Sequence, residues 1–157
     1  MSTVFVTGAT GTVGAAVAAQ LAARGERVIA GVRSGHAAAR LPDGVDARLF
    51  DFASPPEQLR RVMRGADRLF LMRPPQIADV ARFLIPVIDA AQDLGMRQVV
   101  FLSLQGVQFN RNTPHHQVEA YLRATRAPYT MLRPNFPWAL RPRLVSVLSE
   151  SWPMHSS

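Results

Sequence analysis

The stretch VTGATGTVG carries three glycines, Gly8, Gly11 and Gly14, evenly spaced directly after a run of β-formers. In a strand–turn–helix such a trio divides the work. The first glycine permits a tight turn, the middle one lets a pyrophosphate approach the backbone, and the last allows the helix to pack closely on the strand. Free N–H groups and the positive end of the helix dipole then hold the phosphates. Thr10 and Thr12 add hydroxyl or backbone donors, and Val13 lies in the same loop. The G-x-x-G-x-x-G spacing is a variant of the commoner G-x-G-x-x-G. A purely structural turn, its packing eased by Ala15, Ala16 and Ala18, is the competing reading.

A second group of residues falls where strands end. Arg33 follows the second strand, about twenty residues after the glycine loop, where an NAD-selective fold places an acid on the ribose hydroxyls. An arginine there suits a 2′-phosphate, so NADP(H) is expected over NAD(H), with Ser34 or Arg40 as helpers; the other reading is a surface arginine in an arginine-rich chain. Asp51 and Phe52 close the third strand, where a carboxylate and a ring border an adenine, although Asp51 equally suits the start of the DFASPP turn. Met72 and Arg73 follow the fourth strand and are expected to line the cleft, because ligands of open parallel sheets sit beyond the strand C-termini. Arg73 either touches a ribose or phosphate there or is simply a loop arginine.

The elements that position these residues are written as an alternation. Strands are expected at 4–7, 27–32, 47–50, 68–72, 98–102 and 129–132, and helices at 12–24, 55–64, 77–94 and 114–125. Such a rhythm specifies an α/β fold, a doubly wound parallel sheet of Rossmann type with helices on both faces. The nearly continuous apolar runs RLFLM and VVFL fit strands buried on both sides. Thr113 before Pro114 offers an N-cap, Gly25 and Gly95 stand where helices end, and Pro86 should kink or divide its helix. The dinucleotide domain is expected over 1–136. From 137 to 157 an irregular tail follows, with prolines at 137, 142 and 153 and at most a short helix over 140–148.

Composition narrows the function classes. With no cysteine, disulfides, thiolate catalysis and zinc ribbons are excluded. No long uncharged apolar run or leader pattern is present, so the chain is expected in the cytoplasm, away from membranes. A net charge of +7 invites a nucleic-acid reading, yet all 18 basic residues are arginine, as a GC-rich genome produces. Arg60, Arg61, Arg64 and Arg68 read as a solvated basic face opposite Leu59, Val62, Met63 and Ala66, and no nucleic-acid partner is expected.

VTGATGTVG, the strand-end Arg33, VVFLSLQGV, HHQVEAYL and PYTMLRPNF, taken in order, resemble the NmrA-like branch of the atypical short-chain dehydrogenases over residues 2–136. The resemblance implies a Rossmann fold, NADP(H) binding, and either a reductase of quinone, azo or similar acceptors or a redox sensor that binds the dinucleotide without turnover and answers to a protein partner. Short-chain dehydrogenases usually employ a Tyr-x-x-x-Lys pair. This chain has no lysine, and by the register of HHQVE the two positions fall near Arg111 and His115. Tyr129 and Arg133 have the spacing but lie on a strand. Ser103 corresponds to the family serine and is a candidate to hydrogen-bond a substrate or ribose, or else a structural strand end. His115 is a candidate weak proton donor facing the nicotinamide, with a solvated helix start as the preferred alternative. Adjacent to His116, it cannot form an i, i+4 metal pair, so no metal is expected. Glu119, one turn on, orients its ring or makes only a helix contact. After Phe136 the chain departs from the family pattern. The expectation is therefore a truncated product, as a frameshift would leave, lacking the substrate-side lobe. An inactive fragment is a third possibility, and an unpaired sixth strand would favour self-association.

Overall fold

Runs rich in β-branched and aromatic residues form the strands β1 Thr3–Val6, β2 Arg27–Val32, β3 Val45–Leu49, β4 Arg68–Met72, β5 Gln98–Leu102 and β6 Tyr129–Leu132. This computed structural model describes residues 1–125 and 127–134. All pairings are parallel, in the order β3-β2-β1-β4-β5-β6. The sheet is thus of Rossmann type, and the chain reverses its direction of travel between β1 and β4, where such sheets open a crevice for ligands.

Right-handed crossovers decide which face each helix covers. Helix α1 (Thr12–Ala23) packs Val17, Ala18 and Leu21 against Val4, Val6, Val28 and Ala30, and α2 (Gly35–Ala38) adds the partly buried Ala37 and Ala38. The opposite face receives α3 (Pro56–Met63), α4 (Val80–Phe83), α5 (Ile85–Asp93) and α6 (Pro114–Ala124), with Leu59, Ile88 and Val118 joining Phe5, Ile29, Leu71 and Phe101. Neighbouring strand residues Val4 and Phe5 therefore serve different cores, as the period-two alternation of a strand requires. Both are fully buried.

The structure departs from the sequence reading in a few places. The single helix expected over 77–94 is two, α4 and α5, with Pro86 in the first turn of α5, where its missing N–H costs no intrahelical bond. Asp79 caps α4 by accepting from the Arg82 amide at 3.2 Å. β3 begins at Val45, two residues early, as a largely exposed edge strand. Arg68 does not belong to a basic helical face. α3 stops at Met63, the chain turns through Gly65 at φ +94°, and Arg68 opens β4 with only 1% of its surface exposed. Two short elements carried too little periodicity to be foreseen, α2 and a 3-10 turn at Val107–Phe109. Among the described residues β6 is an edge strand. The tail expected over 137–157, its helix over 140–148, and Phe136 lie outside the described residues.

Candidate functional site

The glycine turn is built as its spacing suggests. Gly8 sits at φ +66°, a left-handed conformation that disfavours a side chain, and a Cβ there would also meet the Met72 Cε at 2.8 Å. At Gly14 a Cβ would lie 2.0 Å from the Gly8 carbonyl oxygen, so α1 can rest on the turn only because that position is bare. Gly11 differs from both. Its φ of −83° is open to any residue, and a Cβ would touch nothing nearer than the Gly8 oxygen at 3.4 Å. Gly11 is exposed and is the N-cap of α1, with no side chain capping the helix. The orphan amides of the first turn therefore have no side-chain cap, which is the requirement for receiving an anion. Thr10 is half-buried and Thr12 exposed beside them.

Thr7, which the sequence reading passed over, fixes this turn to the sheet. Its Oγ1 donates to the Phe70 carbonyl at 3.2 Å and accepts the Met72 amide at 2.9 Å, so the ends of β1 and β4 are tied where Met72 covers Gly8. A β-branched hydroxyl at the last position before the first glycine was the available signal.

Beyond the strand ends lie two cavities. The outer one, about 450 Å³, is lined by Arg33, Asp51, Phe52, Gln76, Ile77 and Asp79, among others. Three candidates named from two strand ends, Arg33 after β2 and Asp51 and Phe52 after β3, thus line one cavity. Phe52 is 9% exposed and is anchored edge-to-face on Phe50, with ring centroids 4.9 Å apart, so only its margin reaches the cavity. Asp51 does both things foreseen for it: Oδ1 accepts the Ala53 amide at 2.8 Å to form the turn, and the residue still borders the cavity. Ser34 is spent elsewhere, accepting the Ala37 amide at 3.1 Å as the cap of α2, and Arg40 is exposed and does not line this cavity. Gln76, Ile77 and Asp79 were missed, although the strand-end rule that singled out Arg73 extends along the same loop.

The inner cavity, about 190 Å³, is lined by Val13, Met72, Leu102, Leu104 and Pro134 together with Arg73, Ser103 and His115. Arg73 organises its loop: Nη1 donates to the carbonyls of Pro74 at 3.3 Å, Pro75 at 3.4 Å and Ile77. Its Nε is buried without a hydrogen bond.

His115 is not a solvated helix start. It is 8% exposed, its ring lies 5.8 Å from that of Phe101, and it faces the cavity from the first turn of α6. Burial and the charge of Arg73 push the imidazole below its ordinary value, against the opposing pull of Glu119, so it is neutral at physiological pH. His116 turns away, its Nδ1 3.2 Å from the Val107 carbonyl. Among the described residues no three His, Asp or Glu side chains gather as a metal site.

Glu119 does more than contact its own helix. Fully buried, it accepts Arg133 Nε at 2.8 Å, Arg133 Nη2 at 2.5 Å and Arg123 Nη2 at 3.0 Å. Burial pushes its carboxyl up, but the Arg133 hydrogen bonds, the nearby Ser103 hydroxyl and the two arginine charges outweigh burial and hold it below the ordinary carboxylate range. Ser103 is 1% exposed, and its Oγ approaches that carboxylate without a hydrogen bond of regular geometry. Arg133 had been seen only for its spacing from Tyr129; its actual partner lies on another element, which local spacing cannot show.

Comparison with known proteins places this geometry in a family. Among solved structures, Citrobacter sp. triphenylmethane reductase, complexed with NADP(H), shares 29% identity at a TM-score of 0.70, over 85% of this chain and 49% of that one. The NADPH-dependent quinone oxidoreductase of Escherichia coli shares 25% at 0.71, over 85% and 47%. A nucleoside-diphosphate-sugar epimerase from Staphylococcus aureus, 21% identical at 0.68 over 85% and 50%, has the same fold. The chain spans about half the length of these three structures. No protein of curated function matches it. No described helix is long and apolar enough to cross a membrane. The NAD(P)H-binding family model matches residues 8–138, most of the chain and the whole glycine turn, and the relatives fit the NmrA-like resemblance: the chain belongs to the NAD(P)H-binding family.

Proposed function

We propose that this chain is the NADP(H)-binding part, residues 1–136, of an NADPH-dependent oxidoreductase that reduces quinone, azo or similar acceptors. The observation that carries the reading is the placement of both cavities beyond the strand C-termini, with the glycine turn and the uncapped start of α1 at the same end. The exposed amides and Gly11 would hold the diphosphate. Arg33 would take the 2′-phosphate at the outer cavity, beside Asp51 and the margin of Phe52. Val13, Met72 and Arg73 would border the nicotinamide end. A bound nicotinamide dinucleotide supplies the hydride; the protein supplies orientation and electrostatics. Ser103 would hydrogen-bond substrate or ribose, and neutral His115 would offer one N–H to a reacting oxygen.

The missing lysine favours a second reading, a redox sensor that distinguishes cofactor states without turnover. NADPH oxidation followed with a panel of quinones and azo compounds separates the two. Turnover that falls in His115→Phe supports the enzyme. Saturable NADPH binding with no turnover on any acceptor supports the sensor.

A further inference from the structure

The inner cavity has a charge character that its apolar lining conceals. One of its lining residues, Arg73, carries a guanidinium and none carries a carboxylate; the buried carboxylate of Glu119 is not in the lining and is satisfied by three N–H donors from Arg123 and Arg133. His115 adds no negative charge. Two buried polar atoms there, Arg73 Nε and Ser103 Oγ, lack a regular hydrogen bond, and buried polar groups ordinarily have one. The Ser103 hydroxyl lies beside Glu119 without a hydrogen bond of regular geometry, so an oxygen in the cavity can compete for its proton.

We infer that the inner cavity receives an anionic oxygen, a carboxylate or phenolate on a small apolar ring, and rejects cationic ligands. Val13, Leu104 and Pro134 provide the apolar contact for the ring, while Arg73 and Ser103 donate to the oxygen. The inference deepens the reading of this cavity as the acceptor end of the site and rests on that reading. It assigns the acceptor a charge preference: an anionic ligand gains attraction and two donors, whereas a cation meets a net positive wall and leaves both donors unmatched.

The test compares benzoate with benzamidinium, two rings of similar shape and opposite charge, by calorimetry on the whole protein with and without NADP⁺. Benzoate is expected to bind about tenfold or more tightly than benzamidinium at low salt. In about 1 M salt, where the Debye length is about 3 Å, the preference should shrink. Arg73→Gln should cost benzoate about tenfold and leave benzamidinium unchanged or improved; Ser103→Ala should weaken benzoate alone, by about threefold. Should Arg73→Gln fail to fold, the salt series on the unaltered protein and Ser103→Ala decide the matter. Equal affinity for the two probes, absence of saturable benzoate binding, or benzoate binding indifferent to salt and to Ser103→Ala would overturn the inference. Failure of NADP⁺ to bind would instead count against the dinucleotide reading, since the probe comparison also stands on the ligand-free protein.

Discussion

The Arg133 guanidinium closes a two-point fork on the buried carboxylate of Glu119, Nε to Oε1 at 2.8 Å and Nη2 to Oε2 at 2.5 Å. One partner lies just past β6 and the other on α6, so the fork fixes the end of the sixth strand beside Ser103 and His115. Arg133 also precedes Pro134, which lines the inner cavity. A parallel geometry of this kind is what arginine offers and lysine does not.

Removing the arginine alone should be costly. Arg133→Met leaves a buried carboxylate facing only the more exposed Arg123, and we expect a loss of about 3 kcal/mol, the low end for a broken buried pair because water reaches the arginines. The double substitution Glu119→Gln with Arg133→Met should recover much of that loss. Urea unfolding of the two variants beside the parent checks both statements.

Acid should weaken the fold in two stages. A histidine whose folded value is depressed gives stability that is complete above its ordinary value of 6.5 and declines as pH falls from there towards the lowered value, because the unfolded chain takes up the proton first. The depressed Glu119 behaves likewise below its ordinary 4.5. Thermal melts across acid pH should show the first decline vanish in His115→Phe and the second in Glu119→Gln.

Gly14 and Gly11 should fail differently. Gly14→Ala places a methyl 2.0 Å from the Gly8 oxygen, and the overlap should destabilise the protein by about 1–3 kcal/mol. Gly11→Ala, with an allowed φ and only a 3.4 Å contact, should melt within about 0.5 kcal/mol of the parent yet weaken NADP⁺ by about tenfold or more, because its methyl would stand where the proposed diphosphate site lies. Parallel melting and binding measurements separate the two effects.

Much of this was legible in the sequence because it is periodic or punctuated. The apolar runs RLFLM and VVFL and the glycine turn gave the strands, the alternation and the opening of the crevice, and Thr113 caps α6, accepting the His116 amide at 3.2 Å. What escaped depends on contacts across the fold. His115 looked solvated because helix position does not reveal what packs on it, here the ring of Phe101 from β5. Arg68 fitted a helical spacing that the turn at Gly65 interrupts, and the partner of Arg133 is set by tertiary packing alone.

Cofactor choice should turn on Arg33. Exposed at the outer cavity, it is expected to hold the 2′-phosphate; Arg33→Asp should cost NADP⁺ at least about tenfold and favour NAD⁺ by offering an acceptor to the ribose hydroxyls. Competition titrations with the two dinucleotides read the ratio. Equal affinities in the unaltered protein would remove the assignment.

The central claim is that the bare turn at Gly8–Gly14 and the start of α1 hold a dinucleotide diphosphate. Calorimetric titration of NADPH into folded protein, beside Gly11→Val, tests it most directly. The account predicts a saturable, one-to-one isotherm for the parent and none for the variant at the same concentrations, with both proteins melting cooperatively. A flat isotherm for the folded parent, or equal binding by Gly11→Val, would contradict it.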